Sequence, residues 1–226
     1  MNKQQTKMTE VLNDFWYEAR TDLVRKLLRK YKKENGKLLD AGCGDGCVTK
    51  GLPKSLKADG MDIYKEETKH SFNIFYHHDI QKKLPKLKDT YDTILCSDTL
   101  EHLPNDKAAL KNIFYMLKTS GIAIIMVPAY EWAFGEHDRA LQHRRRYSEK
   151  TLKRLISPHQ PLLFSYWGRF LVPGLAIYKL SSKESVTFNP LITKIAYKAL
   201  IYDNDKIVNN QKLHYGSSLV CVLQKK

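Results

Sequence analysis

The run Lys37-Leu38-Leu39-Asp40-Ala41-Gly42-Cys43-Gly44-Asp45-Gly46 constrains this chain more than any other stretch. An apolar segment ends in an acid and breaks into a turn with three glycines in five positions, so backbone can approach a ligand closely where a strand ends. Short apolar runs then recur at Lys37–Asp40, Ala58–Ile63, Asn73–His77, Thr93–Ser97 and Ile122–Val127, with helix-compatible stretches between them. The clearest of these is Asn105–Lys118, with Ala109, Leu110, Ile113, Phe114 and Leu117 on one face and Gly121 as its stop. Strands alternating with helices predict an α/β fold, a parallel sheet with helices on both faces and ligands at the carboxyl ends of its strands.

Ahead of this rhythm, residues 8–34 predict an N-terminal helical cap. Val11, Leu12, Phe15, Trp16, Leu23, Val24, Leu27 and Leu28 fall at helical spacing, basic residues from Arg29 to Lys33 suit the negative helix end, and Asn35-Gly36 stops it. After Pro128 a polar, aromatic and basic loop (Tyr130 to Tyr147) leads to a short helix, Ser148–Ile156, and an apolar strand, Leu162–Trp167. A long segment, 168–215, follows, with a helical stretch over Pro190–Tyr202, before a final strand at Ser217–Leu223. The expected organisation is one domain over residues 1–226: a helical cap (1–36), a cofactor-binding core (37–127), and a substrate-side part (128–226).

Composition bounds the partners. Thirty-eight basic against 24 acidic residues give a formal charge of +14, which favours anionic partners such as nucleic acid, phosphorylated substrates or acidic lipid surfaces; a solvated lysine-rich surface explains it equally well. Cys43 and Cys47 have zinc-like spacing but no second Cys/His pair, so no metal is expected; three of the four cysteines sit in apolar strand or turn contexts and are read as buried and reduced. The polar N-terminus lacks a signal core, and the best apolar stretch, Pro161 to Leu180, is interrupted by Arg169. The expected location is the cytoplasm, with peripheral membrane contact through Leu162–Leu180 as a further option.

Three ligands compete for the glycine turn. A phosphate loop needs Gly-x4-Gly-Lys-Ser/Thr, which is absent. A dinucleotide site needs Gly-x-Gly-x-x-Gly, but the third glycine here is misplaced and Asp45 would oppose a pyrophosphate. A ligand with an ammonium and a carboxylate suits the turn better: acceptors near Asp40 meet the first, and helix-initiating N–H groups beyond Gly44 favour the second. Asp62, 20 residues after Gly42, is placed for a ribose diol; Asp79 can accept from an exocyclic amine while Ile80 packs on a purine face. Three acids closing three successive strands make a ligand site a better explanation than separate turns.

At these residues the chain closely resembles the class I S-adenosylmethionine-dependent methyltransferases. The resemblance rests on Leu38 to Gly46, on Asp62, on His78-Asp79-Ile80, and on Tyr91-Asp92-Thr93-Ile94-Leu95-Cys96-Ser97-Asp98-Thr99-Leu100-Glu101-His102-Leu103. The last run is similar to the fourth-strand signature of the branch that methylates small molecules, in which a Glu-His pair opens the next helix. Phe15-Trp16-Tyr17-x-x-Arg20 resembles that branch's N-terminal helix, and Gly135-Glu136-His137-Asp138-x5-His143-Arg144-Arg145-Arg146-Tyr147-Ser148 resembles a bacterial subgroup associated with glycan or lipid biosynthesis, as does Gly216 to Val222. The resemblance implies a Rossmann-like, doubly wound sheet of seven strands, mostly parallel, with a reversed last strand between the fifth and sixth. It implies S-adenosyl-L-methionine as cofactor, with Arg20, Asp40, Ala41, Gly42, Cys43, Gly44, Gly46, Asp62, Ile63, Asp79, Ile80, Ser97, Asp98, Thr99 and His102 around it.

Methyl transfer from a sulfonium is an in-line displacement, so alignment matters most and a base is needed only for an acceptor such as a hydroxyl. His143 and His137 are the candidate bases, in the loop after the fifth strand; Tyr130, Arg145, Arg146 and Tyr147 are the candidate acceptor contacts, the arginines as a clamp for phosphate or carboxylate. The plain alternatives are a loop hydrogen bond between His137 and Asp138 and a solvated run of arginines. The leading function is methyl transfer to oxygen of a small-molecule or glycan/lipid-linked acceptor; the alternatives are an RNA or protein methyltransferase and a non-catalytic binding subunit.

Overall fold

The computed structural model describes residues 3–64, 72–173 and 190–226, with side chains described from Phe15 onward. Seven strands form one sheet: β1 (Lys37–Ala41), β2 (Lys57–Asp62), β3 (Phe75–His77), β4 (Tyr91–Ser97), β5 (Leu117–Pro128), β6 (Pro161–Trp167) and β7 (Ser218–Gln224). Their spatial order is β3-β2-β1-β4-β5-β7-β6, with β7 antiparallel to both neighbours and the pairs from β3 to β5 parallel. Residues 122–128 of β5 are all buried, as expected where both faces of a strand are covered. The chain winds outward through β2 and β3, then restarts beside β1 with β4. That reversal opens a crevice at the carboxyl ends of β1 and β4, the place where such sheets bind ligands.

Helix α1 (Lys3–Lys30) buries Phe15, Ala19, Leu23, Val24, Leu27 and Leu28 as one stripe; its backbone is helical across Val11 and Leu12, whose side chains lie outside the described ones. The helix stops four residues before the expected end. Lys32 takes φ 55°, its N–H reaches the Arg29 carbonyl at 3.1 Å and the Lys33 N–H reaches Leu28 at 2.8 Å, so the last carbonyls are closed off by a left-handed turn. Helix α2 (Asp106–Met116) is capped by Asn105, whose side chain accepts from the Ala108 N–H at 3.0 Å.

The expected continuation of α2 to Lys118, with Gly121 as its stop, is corrected. Leu117 is already extended and pairs with Tyr91, and Gly121 lies within β5, where a Cβ would press on the Lys118 carbonyl oxygen. The carbonyls of Tyr115 and Met116, orphaned by the helix end, accept instead from the N–H groups of Asp89 and Thr90. The expected opening of this helix by Glu101-His102 is corrected too, since both lie in the turn that precedes it. Beyond Gly46 the chain forms only a 3-10 turn (Thr49–Gly51), not the α-helix start expected there.

The other described α-helices are α3 (Glu136–Ala140), α4 (Glu149–Ile156) and α5 (Pro190–Val208). Helix α5 outlasts its predicted end at Tyr202 by six residues because it packs along α1. Their shared seam holds Asn204, fully buried, which accepts from Trp167 Nε1–H at 2.7 Å and donates to the Ala19 carbonyl at 2.8 Å and Asp22 at 2.9 Å. Asn204→Ala leaves a buried indole N–H unpaired and is expected to cost roughly 2 kcal/mol in urea unfolding. A loss below about 1 kcal/mol would show that the seam is not held this way. Residues 174–189 of the long segment before β7 lie outside the described residues.

Candidate active site

Two turns meet at the crevice. After β1 the backbone doubles through Gly42, Gly44 and Gly46 at φ 77°, 51° and 77°, and the Gly42 and Cys43 N–H groups both donate to the Met61 carbonyl. After β4 the chain turns through Asp98, a non-glycine residue at φ 47°. Thr99 Oγ1 donates to the Ala41 carbonyl at 3.1 Å, and its side chain occupies the space a Cβ on Gly42 would need. Gly42 is therefore glycine for two reasons: a left-handed backbone and close contact with the β4 turn. Gly44 differs, because a Cβ there would meet nothing within 4 Å. The direction a side chain would take there points into open space, as a ligand cradle requires.

The three acids are treated unequally. Asp40 is buried within β1, next to its end, and bonds to the Thr49 hydroxyl; burial, partly offset by that bond, pushes its pKa up to about 7. Asp62 closes β2 half-buried, accepting from the Gly44 N–H at 2.9 Å and the Tyr64 N–H at 3.0 Å, beside the exposed Ile63. Asp79 lies two residues past β3 and caps its own turn through the Gln81 N–H at 2.9 Å, while Ile80 is buried with its carbonyl held by Asn112. Ala41 and Cys43 are buried beneath the turn.

Arg20 enters the crevice from α1, fully buried against the contacting rings of Trp16 and Trp167, whose centroids lie 4.6 and 5.4 Å from its guanidinium. Burial lowers its pKa to about 10, so it stays charged at neutral pH, and its guanidinium is committed to Asp98 at 3.0 Å and the Ser97 hydroxyl at 3.1 Å. Arg20, Ser97 and Asp98, all expected around the cofactor, are thus joined in one cluster.

The loop after β5 closes over the β4 turn. Its Arg144 N–H donates to the Glu101 carbonyl at 2.8 Å and its Nε to His102 at 3.1 Å. Arg145 binds Asp106 at 2.8 Å and the Pro104 carbonyl at 3.3 Å; Arg146 binds Asp138 at 2.8 Å and the Ala129 carbonyl at 3.3 Å. Tyr147 is buried and donates to Asp106 at 2.9 Å. These arginines form a strap, not a solvated run, and the bonds of Arg146 and Tyr147 are internal. Tyr130, at φ 66°, stacks on Tyr166 and its hydroxyl accepts from the Gly216 N–H at 3.2 Å.

The strap organises the histidines. His143 Nδ1 lies 2.8 Å from Asp138 Oδ1, and the two rings of His143 and His102 meet edge to face with centroids 4.6 Å apart. Asp138 is buried; although burial opposes ionisation, His143, Arg146 and the Gly135 N–H hold its pKa down to about 2. A charged Asp138 selects the tautomer with hydrogen on Nδ1, leaving Nε2 as the acceptor. Asp138 was absent from the expected site; its proximity to His137 in sequence hides a partner five residues away, brought round by α3. His137 itself lies exposed on α3.

Glu101 was also absent from the expected site. It is fully buried, both carboxyl oxygens lack a hydrogen-bond partner, and burial raises its pKa to about 8, opposed by Arg20 and Arg146. Glu101, His102 and His143 place one ligand atom each within 4.8 Å of one another. Because the folded protein holds protons on Glu101 and Asp40 that the unfolded chain releases above its ordinary carboxylate range, stability should fall as pH rises from about 5 through 8. Glu101→Gln is expected to reduce that alkaline loss in thermal melts across this range. An unchanged slope would show that Glu101 is ionised throughout.

Comparison with known proteins fits this geometry. A family model described as a methyltransferase domain matches residues 14–167, and the chain belongs to that family. The family's cofactor, S-adenosyl-L-methionine, fits the residues present: open space over Gly44, a half-buried Asp62 beside it, and an orphaned Glu101 carboxyl below the β4 turn. Among curated relatives, a ubiquinone biosynthesis O-methyltransferase of Coxiella burnetii is 26% identical over 133 residues, covering 51% of this chain and 57% of that one. A juvenile hormone acid O-methyltransferase of Bombyx mori is 28% identical over 148 residues, covering 58% and 52%. The chain thus spans a little over half the length of each. A SAM-dependent methyltransferase from Archaeoglobus fulgidus superposes with TM-score 0.58 at 19% identity, covering 91% and 94% of the two chains. The [4+2]-cyclase SpnF superposes with TM-score 0.53 at 16% identity, covering 84% and 75%, so the fold by itself does not name a reaction.

Proposed function

We propose that this protein transfers a methyl group from S-adenosylmethionine to an oxygen of a small-molecule or glycan/lipid-linked acceptor, with His143 as general base. The observation that carries this reading is the Asp138–His143 pair, 2.8 Å apart and set against the β4 turn by the arginine strap. The names of the curated relatives, O-methyltransferases in each case, support oxygen as the acceptor atom.

Gly42 and Gly44 backbone, Asp62 and Ile63 would hold the cofactor's methionine and ribose ends; Asp79, Ile80, Ser97, Thr99 and His102 would flank its adenine and methyl. Bound there, the cofactor supplies a methyl already activated by its sulfonium. The protein's contribution is alignment, and proton removal from the acceptor hydroxyl by His143 Nε2 while Asp138 holds Nδ1–H. The Arg20–Asp98 pair fixes the β4 turn between α1 and the sheet. Tyr130 and Arg145 stand as acceptor contacts, and Arg146 and Tyr147 act by holding the wall they belong to.

Among the described residues no helix is long and apolar enough to cross a membrane. Supply of methyl-labelled cofactor to fractionated lysate tests the reading: label in small organic molecules is expected. Label confined to RNA or protein would replace it with the alternatives that the +14 charge suggests.

A further inference from the structure

Beside the arginine strap lies a cavity of about 410 Å³, lined by Asp106, Lys107, Glu131, Phe134, the run from Arg144 to Tyr147, and three residues of α4 including Arg154. Its charges do not cancel. Of the two carboxylates, Asp106 is taken by Arg145 at 2.8 Å and Tyr147 at 2.9 Å, and Glu131 accepts from the Thr151 hydroxyl at 3.1 Å. Arg146 is neutralised by Asp138. Among the described residues no carboxylate oxygen lies within 4.0 Å of Lys107, Arg144 or Arg154. Three cations therefore face one cavity against a single carboxylate, Glu131, that no described cation pairs. They come from three separate elements, α2, the strap and α4, so their convergence is a product of the fold and not of a charge run.

We infer that this cavity binds a phosphate or diphosphate group. Guanidinium forks match phosphoryl oxygens in pairs, and the excess of two positive charges, three unpaired cations less Glu131, exceeds the single charge a carboxylate brings. The volume is that of a small-ligand site and suits one anionic group, whereas a nucleic-acid backbone needs an extended track. Phe134 and Tyr147 form the apolar part of the wall. The strap bearing Arg144 also bears His143 and bonds to the turn carrying His102, so an anion here anchors an acceptor next to the proposed base. That last step rests on the methyl-transfer reading; binding of the anion does not.

Calorimetric titration with inorganic pyrophosphate tests the site, with S-adenosylmethionine titrated in parallel as a check on the crevice. Wild-type protein should bind pyrophosphate in the sub-millimolar range, and Arg144→Ala/Arg154→Ala should weaken it by about tenfold or more. Lys107→Ala/Arg154→Ala, which spares the Arg144 bond to the β4 turn, should weaken pyrophosphate in the same direction while cofactor affinity stays unchanged. Cosedimentation with phosphatidylcholine vesicles carrying phosphatidate, if lost in the same variants, assigns the anion to a lipid headgroup; pyrophosphate binding without cosedimentation assigns it to a soluble acceptor. No pyrophosphate binding at millimolar concentration, or unchanged affinity in both variants, overturns the inference. Loss of cofactor binding by the wild type would instead overturn the methyl-transfer reading and leave the anion site standing.

Discussion

Replacing His143 by alanine is expected to lower methyl turnover by about 10²–10⁴-fold, the range a positioned general base contributes, while cofactor affinity stays unchanged. The expectation follows from the geometry: Asp138, buried and anionic, holds the imidazole by Nδ1 at 2.8 Å, which leaves Nε2 as the only ring nitrogen able to take a proton. His143→Gln is the companion variant, since it preserves much of the packing against His102 without an acceptor nitrogen of the same basicity. A split in which turnover falls and cofactor binding holds assigns the residue to chemistry. Intact turnover with the true acceptor removes His143 as base, and points to an acceptor already ionised at neutral pH, such as a carboxylate.

The second large effect is expected at Asp62. Its carboxylate closes β2 next to the open face of Gly44, and the proposed pair of bonds to a ribose diol is charge-assisted. Asp62→Ala should weaken S-adenosylmethionine binding by about a hundredfold or more, since each hydrogen bond to a charged group contributes roughly 1.5–3 kcal/mol. The same variant frees the Gly44 and Tyr64 N–H groups, which donate to different carboxylate oxygens, so Asp62→Asn, whose single amide oxygen accepts from one of them, separates part of the loss of the turn from loss of the charge. Unchanged affinity on calorimetry in both variants would remove the ribose assignment.

Much of the site's position was legible before the structure. An apolar strand, an acid and a left-handed glycine turn are local features, and the Gly42–Gly46 geometry follows from them. The strand rhythm gave the parallel core, because doubly covered strands such as β5 leave a continuous apolar run. The reversed β7 came through resemblance, since nothing in Ser218–Gln224 says which neighbours it takes. What stayed hidden depends on tertiary contacts. Leu117 completes the helical stripe of α2 by periodicity, yet pairing with Tyr91 claims it for β5. Asp40 sits at the predicted strand end, but Thr49, nine residues on, covers it. Asp138 and Glu101 are not legible as site residues in sequence, because adjacency offers Asp138 to His137 while the fold gives it to His143, and the Glu101 carboxyl has no hydrogen-bond partner to signal its place. The arginines at 144–146 show the same limit: sequence supplies three cations, and only the fold decides which are spent on Asp106 and Asp138.

The account's central claim is base-assisted methylation of an oxygen at this crevice. Its most direct measurement is transfer of isotopically labelled methyl from S-adenosylmethionine into small organic acceptors by wild-type protein and by His143→Ala, followed by chemical identification of the methylated atom. The account predicts an oxygen-linked methyl group formed by the wild type and nearly absent with the variant. Label on nitrogen, or equal labelling by the two proteins, would contradict it.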